Sequence, residues 1–290
     1  MNTRTPPPFR QRGVALLLVL WACTLLAILL GGYAALARTE ALQARYQFAG
    51  TQAHYAAEAG LMRAVYGLQD PRVRQRWIGD GRPYTFVYDR ASVVVRATDE
   101  DGKVDLNSAA PEVLAGLFRA AGLRPREADE LADRVVDWRS PPGLSGEVDS
   151  RRAAYVAAGR DYGPRNGPFV TVEELQLVLG MTPALYRQIA PVLTIWSGRP
   201  TPNPNTAPPL ALQAIPGITP QQLAAIRVTR AKNAADPSLA LNNGTTHSIE
   251  SVATLADGTS AVLRATVRMQ PGQVGGKPYA VLRWQEGKQE

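Results

Sequence analysis

Val14 to Ala37 is a run of 24 residues without a charge, VALLLVLWACTLLAILLGGYAALA, with Arg10 and Arg12 before it and Arg38 after it. About 20 apolar residues cross roughly 30 Å of hydrocarbon, so this run predicts a membrane-spanning helix. The basic residues precede it and no second run follows. By the positive-inside rule that orients the N-terminus to the cytoplasm and about 250 residues to the far side. A cleavable secretion signal has a shorter apolar core, about 7–15 residues, closed by a small-residue site. Ala34-Ala-Leu-Ala37 offers such a site, so this alternative stays open beside that of an ordinary signal anchor.

The formal charge of +7 would permit an acidic partner, but Arg4, Arg10 and Arg12 supply three of those charges within the first 13 residues. Without them the remainder carries +4. Cys23 is the single cysteine, which excludes an intrachain disulfide, and with only His54 and His247 as further soft ligands a zinc site is excluded as well. A metal in this chain would be a hard cation held by oxygen. No G-x-S-x-G elbow occurs, and two histidines offer little for general base catalysis. The sequence therefore predicts no enzyme.

Helical character continues past the apolar run. From Arg38 to Leu68 there is no proline, and Leu42, Ala49, Ala53, Ala56, Gly60, Ala64 and Leu68 recur at spacings of three, four or seven, marking one face with small side chains. Strand signals come in two separated groups: Tyr84 to Asp89 and Ser92 to Thr98, then His247 to Leu255, Ala261 to Met269 and Tyr279 to Trp284. These predict one antiparallel sheet with strands from both ends of the far-side region and the long helix across one face.

Between the two groups the composition turns helical, and its punctuation repeats. Gly122-Leu-Arg-Pro125, Gly180-Met-Thr-Pro183 and Gly217-Ile-Thr-Pro220 each separate two apolar segments. Glycine after a helix end and proline in the next first turn, with Thr182 and Thr219 as caps, predict three helical hairpins. Asn107-Ser-Ala-Ala-Pro and Asn205-Thr-Ala-Pro-Pro open two of them alike, which suggests a duplicated unit.

Gly13 sits between the basic leader and the apolar run, in R-Q-R-G-V-A-L-L-L. This resembles the prepilin leader, which a membrane peptidase cuts after that glycine, so the resemblance places the cut between Gly13 and Val14. Pilin-like proteins usually carry a glutamate fifth after the cut, where this chain has Leu18. A missing carboxylate there, together with Val104-Asp-Leu-Asn-Ser-Ala109, Asp137-Trp138, Phe169-Val-Thr-Val-Glu-Glu-Leu175 and Asn203-Pro-Asn-Thr-Ala207 in that order, resembles the general secretion pathway protein K family, the K-type minor pseudopilins of type II secretion. The resemblance runs from Arg12 to about Trp284.

It implies an α+β subunit: a long N-terminal transmembrane helix packed on an antiparallel pilin-type sheet, with an inserted all-α domain of helix-hairpin-helix, SAM-like type. The implied division is a cleaved leader 1–13, a transmembrane helix 14–37 anchored from Val14 through Leu18 to Ala37, a periplasmic helix 38–68, a sheet domain 69–102 and 243–290, and an insert 103–242. It also implies a tip subunit that starts or caps a periplasmic pseudopilus. That subunit is single-pass in the inner membrane and methylated after processing. Its partners are the I- and J-type minor pseudopilins, the major pseudopilin, the prepilin peptidase and the inner-membrane assembly platform.

Two rival classes remain: a minor pilin of a type IV pilus, and a DNA-binding or DNA-uptake protein, since the hairpins also resemble helix-hairpin-helix modules. In those modules a second glycine lets backbone N–H groups approach a phosphate, whereas Arg124, Thr182 and Thr219 stand there here. No cofactor is required by any of these readings. Calcium is the one candidate, with Asp137, Glu147 and Asp149 as ligands. The family often carries acids just after the Asp-Trp pair, where this chain has Arg139-Ser-Pro-Pro, so a solvated loop over Asp137 to Asp161 is the alternative. Asp99-Glu-Asp-Gly102 reads as a turn, and Gly272-Gln-Val-Gly-Gly-Lys277 is too short for a phosphate loop.

Overall fold

A computed structural model describes residues 14–141, 143, 147–236, 238, 244–270 and 278–287. The chain divides into two compact units, residues 1–52 and 53–290. Helix α1, Val14–Leu68, contributes to both. In the first unit its side chains are exposed, Leu17, Trp21 and Leu29 among them, and its most apolar 18-residue window has a mean hydropathy of 2.7. It is the one helix among the described residues long and apolar enough to cross a membrane.

In the second unit, the head, five strands form an antiparallel sheet: β1 (Asp80–Tyr88), β2 (Ala91–Asp99), β5 (Thr246–Thr254), β6 (Ser260–Met269) and β7 (Tyr279–Gly287), in the order β1-β2-β5-β6-β7. All five fall where the strand signals lie. The first hairpin turns at Asp89-Arg90 rather than Arg90-Ala91; both residues have positive φ, 40° and 67°, as a two-residue turn matched to strand twist requires. Odd-numbered residues of β2, β5 and β6 form the inner face. Ala53, Ala56, Gly60, Ala64 and Leu68 of α1, the C-terminal part of the stripe of small side chains predicted from spacing, are buried together with Ala57 and Leu61, while Leu42 is exposed. A side chain at Gly60 would run into Ser251 Oγ and lie 2.8 Å from Val93 Cγ1 and 3.1 Å from Val95 Cγ2, so glycine sets how closely helix and sheet approach.

Strands β2 and β5 are sheet neighbours, with Asp99 paired to His247, although nearly 150 residues separate them in the chain. The segment between therefore leaves and re-enters the sheet at one end, in the position of a hairpin loop. Loop-closure entropy grows only logarithmically with length, so a large insertion is tolerated there. The segment holds β3 (Val104–Asp105), α2 (Pro111–Ala120), α3 (Pro125–Arg139), α4 (Glu147–Ala157), α5 (Pro183–Ile189), β4 (Leu193–Thr194), α6 (Pro209–Gln213) and α7 (Pro220–Ala235). Its core gathers Leu114, Leu117 and Phe118 of α2 with Leu131 and Val135 of α3, and Leu175 and Ile189.

The glycines of the three hairpins have φ of +102° (Gly122), +87° (Gly180) and +72° (Gly217), the left-handed conformation that ends a helix. Four details depart from the sequence reading. The segment before Gly180 is a 3-10 helix, Val172–Leu177, and α6 has only five residues. The insert is not all-α, because β3 and β4 form a short parallel pair, Val104 to Leu193 and Asp105 to Thr194. The stretch read as a solvated loop contains α4, whose Tyr155 is buried against Trp138 and Tyr162.

Candidate functional site

The four sequence phrases of the insert meet around the point where it joins the sheet. Asp105, at the end of β3, is 1% exposed. Its Oδ1 accepts from the backbone N–H groups of Asn107 (2.8 Å) and Ser108 (3.1 Å), and its Oδ2 from Ser197 Oγ (3.1 Å) and the Gly198 N–H (2.8 Å). A buried carboxylate with this many donors is satisfied without a metal, and it fixes the chain just after β4 against the start of the insert. Asn107 takes hold of the third phrase: its Nδ2 donates to Phe169 O (3.0 Å) and the Phe169 N–H donates to its Oδ1 (2.7 Å). The Phe169 ring then stacks on Trp138, centroids 6.0 Å apart. In the fourth phrase the Asn203 N–H donates to Asp101 O (2.7 Å), which brings the end of the insert back to the turn after β2.

That turn, Glu100–Gly102, is more than the surface turn its sequence suggests. Asp99 is buried and accepts from the Asp101 and Gly244 N–H groups, tying β2 to the start of β5. Glu100 is 1% exposed, paired with Lys103 Nζ and accepting from Ser248 Oγ, both at 2.6 Å. Burial raises the carboxyl pKa of Asp99 against the pull of its two N–H donors. The His247 ring beside them is buried with neither nitrogen hydrogen-bonded, and burial lowers its pKa to about 4 in spite of Glu100 and Asp101 nearby. Sequence reading passed over His247 because a lone histidine in a strand carries no motif.

Asp137, near the end of α3, pairs with the Arg151 guanidinium at 3.0 Å; Asp149 is exposed on α4; the Glu147 side chain lies outside the described residues. No group of three or more carboxylates, histidines or cysteines able to hold a metal forms among the described residues. Arg139, which replaces the acids expected after Trp138, is half-buried. It donates to two backbone carbonyls, Leu106 O at 2.8 Å and Ala109 O at 2.6 Å, close to the Asp105 carboxylate. A guanidinium there performs the carbonyl-gathering work of a bound cation.

At each hairpin an N–H group at the start of the second helix is already taken by a side chain, which competes with a phosphate for it. Thr219 Oγ1 accepts from the Gln222 N–H (3.2 Å) and Gln222 Oε1 from the Thr219 N–H (2.8 Å); Thr182 Oγ1 takes the Leu185 N–H (3.2 Å); Glu127 takes the Arg124 N–H (3.4 Å) and pairs with the Arg124 guanidinium. Each start is capped by its own side chains.

These contacts are scaffolding, and comparison with known proteins assigns the scaffold. A family model described as type II secretion system (T2SS), protein K matches residues 92–198, from β2 to just past β4. A curated relative, type II secretion system protein K of Klebsiella pneumoniae, is 27% identical over 241 residues, covering 74% of this chain and 72% of its own length. The chain is similar to the type II secretion system protein K family over these residues. A chain in the crystal structure of the GspK-GspI-GspJ complex from the enterotoxigenic Escherichia coli type 2 secretion system matches 85% of this chain and 100% of its own, with a TM-score of 0.57 and 17% identity. At that identity the likeness shows the fold: a long apolar N-terminal helix, an antiparallel sheet and further helices.

The first three phrases, with Asp105, Asn107, Trp138 and Phe169, lie inside the stretch matched by the protein K model, and Asn203 to Ala207 lies beyond it. In this chain these phrases form the joint between the sheet and the insert. The processing residue Gly13 and the Gly272 to Lys277 segment lie outside the described residues, while Val14, Leu18 and Ala37 are on α1, with Val14 and Leu18 exposed.

Proposed function

We propose that this chain is the tip subunit of a periplasmic pseudopilus, initiating or capping it, and acts by assembly rather than catalysis. The observation that carries this reading is the large segment set between the neighbouring strands β2 and β5, read as an insert over 103–242. A head widened in this way fits the end of a thin helical filament and would obstruct repeated stacking within it. On this reading the leader is cut between Gly13 and Val14, the apolar part of α1 anchors the chain in the inner membrane, and the head lies in the periplasm. Leu18, apolar where filament subunits carry glutamate, suits a subunit with no neighbour above it. The I- and J-type minor pseudopilins are the expected partners, in keeping with the GspK-GspI-GspJ complex of the structural relative.

The test is complementation of a strain lacking the chain. Wild type should restore both pseudopilus assembly and export of the secreted proteins, and should co-purify with the I and J types. Gly13→Leu should retain its leader, visible as a heavier band, and fail to assemble. Normal processing of that variant would sink the cleavage assignment, and full secretion without the chain would sink the tip role.

A further inference from the structure

The face of the sheet opposite α1 carries an arrangement that scaffolding does not require. Two cross-strand rows run over it, set by strand register: Arg96, Glu250, Arg264 and Gln285 in one, Thr98, Ser248, Thr266 and Arg283 in the other. They form the floor of a cleft of about 370 Å³, walled by Lys103 and by Pro191 of the insert. Such a volume is at the small end of the roughly 300–1,000 Å³ of ligand pockets, room for one or two side chains of a partner.

The charges in the cleft do not balance. Lys103 is neutralised by Glu100 at 2.6 Å and Arg283 by Glu173 at 2.6 Å. Arg96 and Arg264 share the single carboxylate of Glu250, Arg264 Nε at 2.8 Å and Arg96 Nη1 only at 3.8 Å. Both guanidiniums are about half exposed, 48% and 52% at the side chain, so each can turn a fork toward an incoming group. Two guanidiniums around one carboxylate leave the geometry for a second, bound through paired N–H donors. Hydroxyls of Thr98 and Ser248 flank the position. An extended acidic segment is the occupant that matches a small cleft with two half-exposed guanidiniums on its floor.

We propose that this cleft docks an acidic segment of a protein partner, with a glutamate or aspartate carboxylate seated between Arg96 and Arg264 beside Glu250. The full-length protein in detergent micelles is titrated with a fluorescently labelled peptide of alternating glutamate and glycine, and with its glutamine counterpart. The glutamate peptide should bind and weaken as salt rises; the glutamine peptide should not bind. Arg96→Gln and Arg264→Gln should each weaken binding by roughly tenfold, the loss expected for charge-assisted hydrogen bonds. Glu250→Gln should tighten it, because the resident competitor is gone while the fold keeps a hydrogen-bonding side chain. Equal binding of both peptides, binding unchanged in the arginine variants, no gain in Glu250→Gln, or displacement by inorganic phosphate at equal concentration would each overturn the proposal. Circular dichroism and melting of each variant, matched to wild type, separate lost docking from lost folding.

Discussion

Substituting Gly60 by alanine tests the helix-on-sheet joint on which the head depends. The added methyl meets Ser251 Oγ, which can rotate aside, and Val93 Cγ1 at 2.8 Å, which cannot without moving β2 or leaving its rotamer, since branching at Cβ makes valine stiff. Overpacking of this kind costs about 1–3 kcal/mol, and two tight contacts on a strand flank place Gly60→Ala toward the upper end. Alanine returns about 1 kcal/mol through helix propensity. The net loss is about 1–2 kcal/mol, or roughly 3–6 °C in melting temperature for a unit of this size. Gly50, on the same helix with nothing within 4 Å of a built side chain, is the control: Gly50→Ala has the propensity gain without the clash. Urea and thermal unfolding of the full chain in micelles, followed by tryptophan fluorescence, should show Gly60→Ala below wild type and Gly50→Ala at or above it. Adding Ser251→Ala should recover part of the loss, a coupling of about 0.5–1 kcal/mol between touching residues. If Gly60→Ala melts with or above wild type while Gly50→Ala is neutral, the close approach does not exist.

Two further outcomes follow from the joint between sheet and insert. His247 titrates at about 4 when folded against 6.5 free, so its contribution is fully present above pH 6.5 and is lost as pH falls toward 4: about 2 kcal/mol between pH 7 and pH 5. Asp99 acts oppositely, its raised pKa favouring the folded state on acidification, so His247→Phe, which removes no hydrogen bond, should flatten or invert the wild-type slope in a pH series of urea melts, and a slope unchanged by the substitution would refute the assignment. Arg139→Met should cost about 2–3 kcal/mol by leaving two carbonyls and the buried Asp105 without their cation. Wild-type melting should be indifferent to chelator or millimolar calcium; a rise with calcium would show that Asp137, Glu147 and Asp149 close a site after all.

Much of the fold was legible because its signals are local. An uncharged run, a stripe of small residues at helical spacing, alternating β-branched segments and three glycine-proline punctuations each depend on chain neighbours, and each reappears as α1, its buried face, the five strands and the left-handed hairpin glycines. What stayed hidden depends on partners far away in sequence. Residues 193–194 are too short to read as a strand until Val104 and Asp105 lie beside them. Asp99-Glu-Asp-Gly resembles a solvated turn until Gly244, Ser248 and Lys103 supply its donors. Arg139 looked like the loss of a calcium ligand, and in place it is a gain of two hydrogen bonds.

The motif residues show the same dependence on distant partners. Asn107 and Phe169 were singled out only as members of recurring phrases, yet they bond to each other across 62 positions, so the phrases mark pairings rather than isolated functions. Asp137 and Asp149 were grouped by nearness in sequence, and in place Asp137 pairs with Arg151 of α4, the helix that also carries Asp149. The bonds that close the insert onto the sheet are those of Asp99 with Gly244, Asp101 with Asn203, and Asp105 with Gly198. Each link ties the stretch where the chain leaves β2 to a residue far along the sequence. Breaking one should loosen the insert's seat on the sheet before it unfolds either part, because the hydrophobic cores on the two sides are built from separate sets of side chains.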